Sequence, residues 1–442
     1  MASAAEQLAR NVNFSTFSKA KELQQRILFT LLALVVYRLG TFIPIPGLDP
    51  TTYAQLFEGQ STGLLGNLNM LAGGAVERMA IFALNVMPYI SASIIIQLLT
   101  STSPTLERLK KEGETGRKQI NQYTRYLTVA FALVQSFGIA MGLQSARLAD
   151  VAPWFFVLTT VVTLTGGTIF LMWLGEQITA RGVGNGISLI IFAGIVAELP
   201  KVIFQLLGQA QTQSVSIAYI LVILALAIAL IVFIVFVERS QRRLLVQYPK
   251  RQVGNQMMQG QNSFLPLKLN TAGVIPPIFA SSLLLLPATL ANFGATENPG
   301  MLAGVAGVFG PGQPAFIITY GLLVAFFAFF YTSIVFNPEE TADNLRKYGG
   351  FLPGIRPGKA TAEYLDYVLT RLTTIGAIYL TFVCLLPEIL RAYYAIPFYL
   401  GGTSLLIVVS VTMDTVTQVQ SHLIAHQYEG MIKKSKLGAR KR

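Results

Sequence analysis

Ten stretches of about twenty predominantly apolar residues run along the chain, each long enough to cross a bilayer core of about 30 Å as a helix. They fall at 25–42, 79–100, 122–143, 153–179, 185–206, 216–238, 271–291, 313–335, 371–389 and 398–417. Inside hydrocarbon no water satisfies backbone N–H and C=O groups, so segments of this length must be helices. The expected fold class is therefore all-α, a ten-helix polytopic membrane protein. Composition agrees: 53% of the 442 residues are apolar and 12% are charged, against roughly 25% charged in soluble proteins. Cys384 is the lone cysteine, so no disulfide framework is available. His422 and His426, the two histidines, leave little for a zinc site or a His-dependent triad. No catalytic residue, metal site or cofactor is expected, and the chain reads as a non-enzyme.

Lysine and arginine set the orientation, because they accumulate on the cytosolic side. With the N-terminus placed in the cytosol, that side holds 28 of the 33 basic residues. The opposite side holds Arg78, Arg147, Lys201 and Arg391, and Arg38 sits within the first span. Both termini are expected to be cytosolic, and the net charge of +12 is explained by topology without nucleic acid. The first span lacks a small-residue cleavage site and reads as a signal anchor.

Ten spans divide into two groups of five, and an odd number per group makes the second run opposite to the first, the arithmetic of an inverted repeat. The expected division is a cytosolic amphipathic N-terminus at 1–24, a first half at 25–206, the sixth span with its loop at 207–269, spans seven to ten at 270–417 with a loop at 336–370, and a basic tail at 418–442. The second element of each half is irregular. Gly63 to Gly74 (GLLGNLNMLAGG) is too short to cross and ends in a glycine pair. The seventh span opens on Pro276-Pro277, read here as a kink. Irregular backbone at membrane depth survives where protein or a wet cavity covers it, so a cavity between the halves is expected.

The charged candidates Arg38, Glu176, Glu198, Glu388 and Asp414 lie near span ends. An interior so poor in carboxylates suits a hydrophobic constriction better than a coupling-ion site. An ion-coupled secondary transporter is the alternative reading, and an intramembrane enzyme a more distant one. Gly182, Gly184 and Gly186 do not make a phosphate loop, since they follow a span and no Lys-Ser or Lys-Thr comes after them. They read as a tight hairpin.

The runs Phe42–Gly47 (FIPIPG), Met87–Leu99 (MPYISASIIIQLL), Tyr123–Tyr126 (YTRY), Phe170–Thr179 (FLMWLGEQIT), Arg181–Ser188 (RGVGNGIS), Val237–Arg243 (VERSQRR), Ala272–Pro276 (AGVIP), Val335–Leu345 (VFNPEETADNL), Pro353–Gly358 (PGIRPG) and Gly401–Val408 (GGTSLLIV) resemble the bacterial SecY family, the channel subunits of the Sec translocase. The resemblance implies two five-helix halves closing like a clamshell around an hourglass pore, which passes unfolded polypeptides and opens sideways to release apolar segments into lipid. It implies a pore ring at Val86, Ile90, Ile187, Ile191, Ile278 and Ile407, with valine at 86 where the family often has isoleucine. Spacing alone does not separate these six from the other span aliphatics. It implies a plug at Gly63–Gly74, with Leu64, Leu65, Leu68 and Leu71 at helical spacing, Asn67 beside them, and Gly73 and Gly74 at its end.

A lateral gate is implied at Ser91, Gln97, Gln135 and Ser282, whose weak interhelical hydrogen bonds a signal sequence could replace. Loops 239–269 and 336–370 are longer than a helix connection needs. In the family such loops dock the ribosome or the SecA ATPase, which points to Arg242, Arg243, Arg251, Arg346, Lys347 and above all Arg356. SecE and SecG subunits, signal sequences, nascent polypeptides and membrane lipids are the remaining implied partners, and the bacterial inner membrane is the implied location.

Overall fold

The computed structural model describes residues 20–58, 69–148, 150–211, 217–249, 251–253, 256–258, 262–294, 313–394 and 401–439. Its helices are α1 (Lys21–Gly40), α2 (Pro50–Glu58), α3 (Met87–Thr102), α4 (Pro104–Lys111), α5 (Glu114–Gly142), α6 (Pro153–Arg181), α7 (Gly186–Gln211), α8 (Ile217–Arg239), α9 (Ile275–Gly294), α10 (Pro314–Val335), α11 (Pro338–Lys347), α12 (Lys359–Tyr394) and α13 (Gly402–Ala439). Among the described residues eight helices are long and apolar enough to cross a membrane, so this is a multi-pass membrane protein of all-α class. The second and seventh expected spans correspond to the shorter α3 and to α9.

Several expected boundaries move, each for a local reason. The second span was expected from residue 79, but residues 72–86 are turns and the helix starts at Met87. Met79 (φ 42°) and Asn85 (φ 49°) adopt the left-handed conformation, which stops a right-handed helix from running through them. The paired prolines of the seventh span do not kink it. They occupy the first turn of α9, where the missing N–H has no helical partner to lose. The 336–370 connection is largely helical, with α11 inside it and α12 beginning at Lys359. Asn337 caps α11 by accepting from the N–H groups of Glu339 (3.0 Å) and Glu340 (3.3 Å), with acids in the first turn and Arg346 and Lys347 in the last.

The 239–269 connection contains strands. β1 (Gln241–Gln247) pairs antiparallel with β4 (Asn262–Lys268), and β2 (Arg251–Val253) pairs with β3 (Gln256–Met258). Such a ribbon accounts for the length that topology left unexplained.

The chain forms two compact units, one of Met1–Ile96, Leu109–Leu207 and Ile407–Arg442, the other of Gln97–Arg108 and Gly208–Leu406. In the first, the irregular stretch 72–86 is threaded between helices that make room for it with glycine. A methyl group on Gly40 would lie 1.9 Å from the Phe82 ring, and one on Gly167 would lie 2.2 Å from the Ile81 carbonyl. The FIPIPG segment supplies a backbone partner: Ile45 N–H donates to Met79 O (3.0 Å) and Ile81 N–H to Ile43 O (2.9 Å). Phe82 stacks between Tyr37 and Phe170. The glycine hairpin before α7 is clasped from both ends of the chain: Thr30 accepts from Val183 N–H (3.1 Å) and the Gln418 amide oxygen from Gly184 N–H (2.8 Å). Around it Ala20, Leu23, Val183 and Leu423 form a small core.

In the second unit, Leu244 and Val246 of β1 and Leu267 of β4 are buried against Leu352, Leu365, Val368, Leu369 and Leu372. From Arg243 to Gln247 the strand alternates, with Leu244 and Val246 buried and Arg243, Leu245 and Gln247 more exposed, as one solvated face requires. Cys384 is buried, as a small apolar packer should be.

Adjacent glycines in α6 give a controlled test of this threading. Gly167→Ala should lower the thermal midpoint of the purified protein, costing about 1–3 kcal/mol as overpacking does. Gly166→Ala, with nothing within 4 Å of the added carbon, should leave it unchanged or raise it. Equal midpoints for the two variants would contradict the packing.

Candidate functional site

The ring candidates share one structural feature that spacing does not reveal. Each lies at, or within two turns of, the start of a helix: Val86 and Ile90 at α3, Ile187 and Ile191 at α7, Ile278 at α9 and Ile407 at α13. Val86, Ile90, Ile191 and Ile407 are buried, while Ile187 and Ile278 are half-buried. The start of α7 is held by Asn185, whose side chain accepts from the N–H groups of Ile187 (3.2 Å) and Ser188 (3.4 Å), and by Thr179, which accepts from Gly186 N–H (2.8 Å). Ile187 then packs onto α6 at Gly175, where an added methyl would lie 2.9 Å from its Cγ1. These capping contacts fix where two of the six side chains sit.

Of the plug candidates, Leu64, Leu65, Asn67 and Leu68 lie outside the described residues. Leu71, Gly73 and Gly74 are described, and they belong to a tightly bound root. Its carbonyls are taken up by side chains: Leu71 O accepts from Asn85 (2.7 Å), Ala72 O from Tyr37 (3.2 Å), Gly73 O from Arg38 (2.5 Å) and Arg78 (3.0 Å), and Val76 O from Tyr53 (2.5 Å). Turn backbone buried in this way would otherwise leave unpaired acceptors, each costing about 1–3 kcal/mol.

Glu77 N–H donates to the Asn69 side chain (2.8 Å), and the Glu77 carboxylate accepts from Asn69 and pairs with Lys201 at 2.5 Å. Burial raises the Glu77 carboxyl, but Lys201 and Asn69 together outweigh it and hold the group below its ordinary value. Burial, reinforced by Glu77, pushes the Tyr53 hydroxyl upward, so it stays a donor.

Glu198, expected near a span end, is buried in α7 between two cations. Arg78 approaches its carboxylate to 3.5 Å and Arg38 to 3.8 Å, and both guanidiniums lie over the Phe42 ring, at 4.3 and 4.8 Å from its centre. Sequence reasoning missed this cluster because its members are far apart in the chain, and the low count of intramembrane charges was the one signal that could have flagged it. Glu176 also has a cationic partner, a two-point pair with Arg125 at 2.8 and 2.9 Å.

Among the gate candidates, Ser91 is buried on α3, Gln97 lies further along α3, Gln135 is half-buried on α5, and Ser282 is buried on α9. Beside Gln135, Ser136 shares a 3.0 Å hydroxyl contact with Thr165 of α6, an interhelical bond that involves none of the four gate candidates.

The docking candidates all belong to the second unit. Gln247 and Phe351 exchange backbone hydrogen bonds at 2.9 and 3.0 Å, tying the far end of β1 to the segment after α11. Arg242 and Arg243 are exposed on β1, Arg346 and Lys347 are exposed in the last turn of α11, and Arg251 lies on β2. The PGIRPG run is two Pro–Gly turns, with Gly354 (φ 79°) and Gly358 (φ 105°) in the left-handed conformation that such turns demand. Between them Ile355 packs into the core and Arg356 is exposed. Phe264 and Tyr348 are exposed on the same unit. Among the described residues no cluster of His, Cys, Asp or Glu is suited to a metal.

Removing only the Tyr53 hydroxyl, by Tyr53→Phe, leaves the Val76 carbonyl without its donor and should cost about 1 kcal/mol. A fall of a few degrees in thermal midpoint is expected, and an unchanged midpoint would show that the bond carries no weight.

The SecY family model matches residues 80–416. The protein translocase subunit SecY of Pseudomonas aeruginosa is 54% identical over 417 residues, covering 94% of each chain. That of Escherichia coli K12 is 53% identical over 421 residues, covering 94% of this chain and 95% of the relative. A solved structure of a protein-conducting channel superposes with a TM-score of 0.66 at 17% identity, covering 90% of this chain and 92% of that one. Sec61 in the canine ribosome–channel complex of the endoplasmic reticulum gives 0.63 at 17% identity, with the same coverage. At that identity the two structures speak to the fold.

Proposed function

The chain belongs to the SecY family and is a protein-conducting channel subunit, and we propose that Val86, Ile90, Ile187, Ile191, Ile278 and Ile407 form its constriction. Unfolded secretory polypeptides pass through this ring. Branched aliphatics give a moving chain no hydrogen-bonding partner, so any side chain can slide by, while an empty ring excludes water and hydrated ions. The observation that carries this reading is that every family ring position is aliphatic here and lies near a helix start. Helix N-termini carry partial positive charge, which adds an electrostatic penalty for cations to the hydrophobic one.

The segment ending at Gly73 and Gly74, including Leu64, Leu65, Asn67, Leu68 and Leu71, is the plug of the resting state. Ser91, Gln97, Gln135 and Ser282 line the lateral gate, through which an apolar segment trades weak polar contacts for burial in lipid. Two opposed five-span halves, 25–206 and 207–417, are the organisation that the span count supports. Family membership sets aside the ion-coupled transporter, and Glu176 and Glu198 are engaged by arginines.

The energy for movement comes from a partner. The chain works in the bacterial inner membrane with both termini in the cytosol, the arrangement its lysines and arginines favour, and it performs no catalysis. SecE clamps the two halves and SecG sits at the periphery. Arg242, Arg243, Arg251, Arg346, Lys347 and Arg356 receive SecA or the ribosome, whose RNA phosphates suit guanidinium groups. Solved Sec61 and yeast Ssh1 channels are described as bound to ribosomes.

Cysteines at 90 and 187 should crosslink to a secretory chain stalled in transit, whereas cysteines at lipid-facing Leu32 and Phe236 should not. Crosslinking only at the latter pair would refute the ring. Arg356→Glu should cut motor-driven translocation at least about tenfold, the change equivalent to 1.4 kcal/mol, while leaving the amount of folded protein unchanged; retention of full rate would refute its docking role.

A further inference from the structure

The helix that carries Ile187 and Ile191 also carries the carboxylate that grips the root of the plug. Ile187, Ile191, Gly194 and Glu198 recur at i, i+4, i+7 and i+11, so they form one stripe along α7. At 1.5 Å per residue, Glu198 lies about 10 Å along that stripe from Ile191. The root is seated directly on it. An added methyl on Gly194 would lie 2.7 Å from Leu71 O, and one on Gly73 would lie 2.9 Å from Gly194 Cα. An added methyl on Gly74 would meet Arg78 Nη2 at 2.3 Å and Glu198 Oε1 at 2.4 Å. The glycine pair thus lets the backbone close onto α7 where the charges are.

The balance of those charges matters. Arg38 comes from α1 and Arg78 from the root itself; both donate to the single carbonyl of Gly73, both lie over the Phe42 ring, and they share one carboxylate. With Glu198 present, each guanidinium has an opposite charge beside it. Without it, two guanidiniums crowd one carbonyl and one ring at partly buried positions, and net attraction becomes repulsion. The root also holds Met79 in a left-handed conformation that is unfavourable for a side chain of its kind, so it needs its contacts to stay in place.

We propose that Glu198 is an electrostatic latch, which locks the root of the plug to the pore-lining face of α7 in the resting channel and lets go when that face moves to admit a chain. This rests on the reading of Gly63–Gly74 as the plug. The latch sets the resistance to opening, and it acts from one side of the plug's base.

Idle ion conductance of the full chain, in its native membrane with its accompanying subunits, tests this. Deleting residues 64–72 should raise the conductance. Glu198→Gln should raise it by about tenfold, and Glu198→Asp by less. Glu198→Arg and Arg78→Glu should each leak, while the double variant Arg78→Glu/Glu198→Arg, which restores an opposed pair and the same net charge, should return to within about twofold of the unsubstituted channel. In the deletion background Glu198→Gln should add nothing. Translocation of a secretory protein by each variant reports that it is folded. A leaky deletion beside a tight Glu198→Gln channel overturns the latch alone, and so does a Glu198→Gln leak that persists undiminished on top of the deletion. A deletion with unchanged conductance overturns the plug reading, and the latch with it.

Discussion

A backbone that leaves helical geometry inside a membrane must find partners for every N–H and C=O it exposes, and the stretch from Ala72 to Val86 is built around that demand. Its carbonyls are taken by Asn85, Tyr37, Arg38, Arg78 and Tyr53. Its strand-like contacts are supplied by Ile43 and Ile45. Without those donors this stretch would have to be helical. Charged side chains at membrane depth are costly unless paired, and here the cost is offset by the acceptors they satisfy. The FIPIPG run serves the same purpose, offering one aromatic ring to two cations and two backbone positions to the turn beside it.

How much of this could be read from the chain follows from the range of each signal. Hydropathy is local and long, so the spans were legible. The start of the second helix was not, because Met79 and Asn85 carry no propensity that announces a left-handed backbone. The prolines at 276 and 277 were misread as a kink, since a Pro pair breaks a helix interior but opens a helix just as readily. The β1–β4 ribbon escaped notice because only Leu244 and Val246 alternate clearly, too few residues to stand out beside spans of twenty.

The site divides in the same way. Nothing intrinsic to Ile90, Ile191 or Ile407 marks them among many aliphatics; family resemblance supplied them, and the structure adds that each lies near the start of its helix. Glu198 was visible as a rare intramembrane carboxylate, but its partners Arg38 and Arg78 lie 160 and 120 positions away. Only the folded chain brings them together. Arg356 likewise came from the family resemblance; what was legible in the sequence itself is the pair of Pro–Gly turns that bracket it, since turn chemistry is local.

The backbone exchange between Gln247 and Phe351 gives the second unit a mechanical character. Arg356 sits on a bracket of two turns, one edge tied through Phe351 to the far end of β1, the other leading into the 36-residue helix that begins at Lys359. The bracket is therefore held at both ends, and the side chain it presents is fixed to two elements at once.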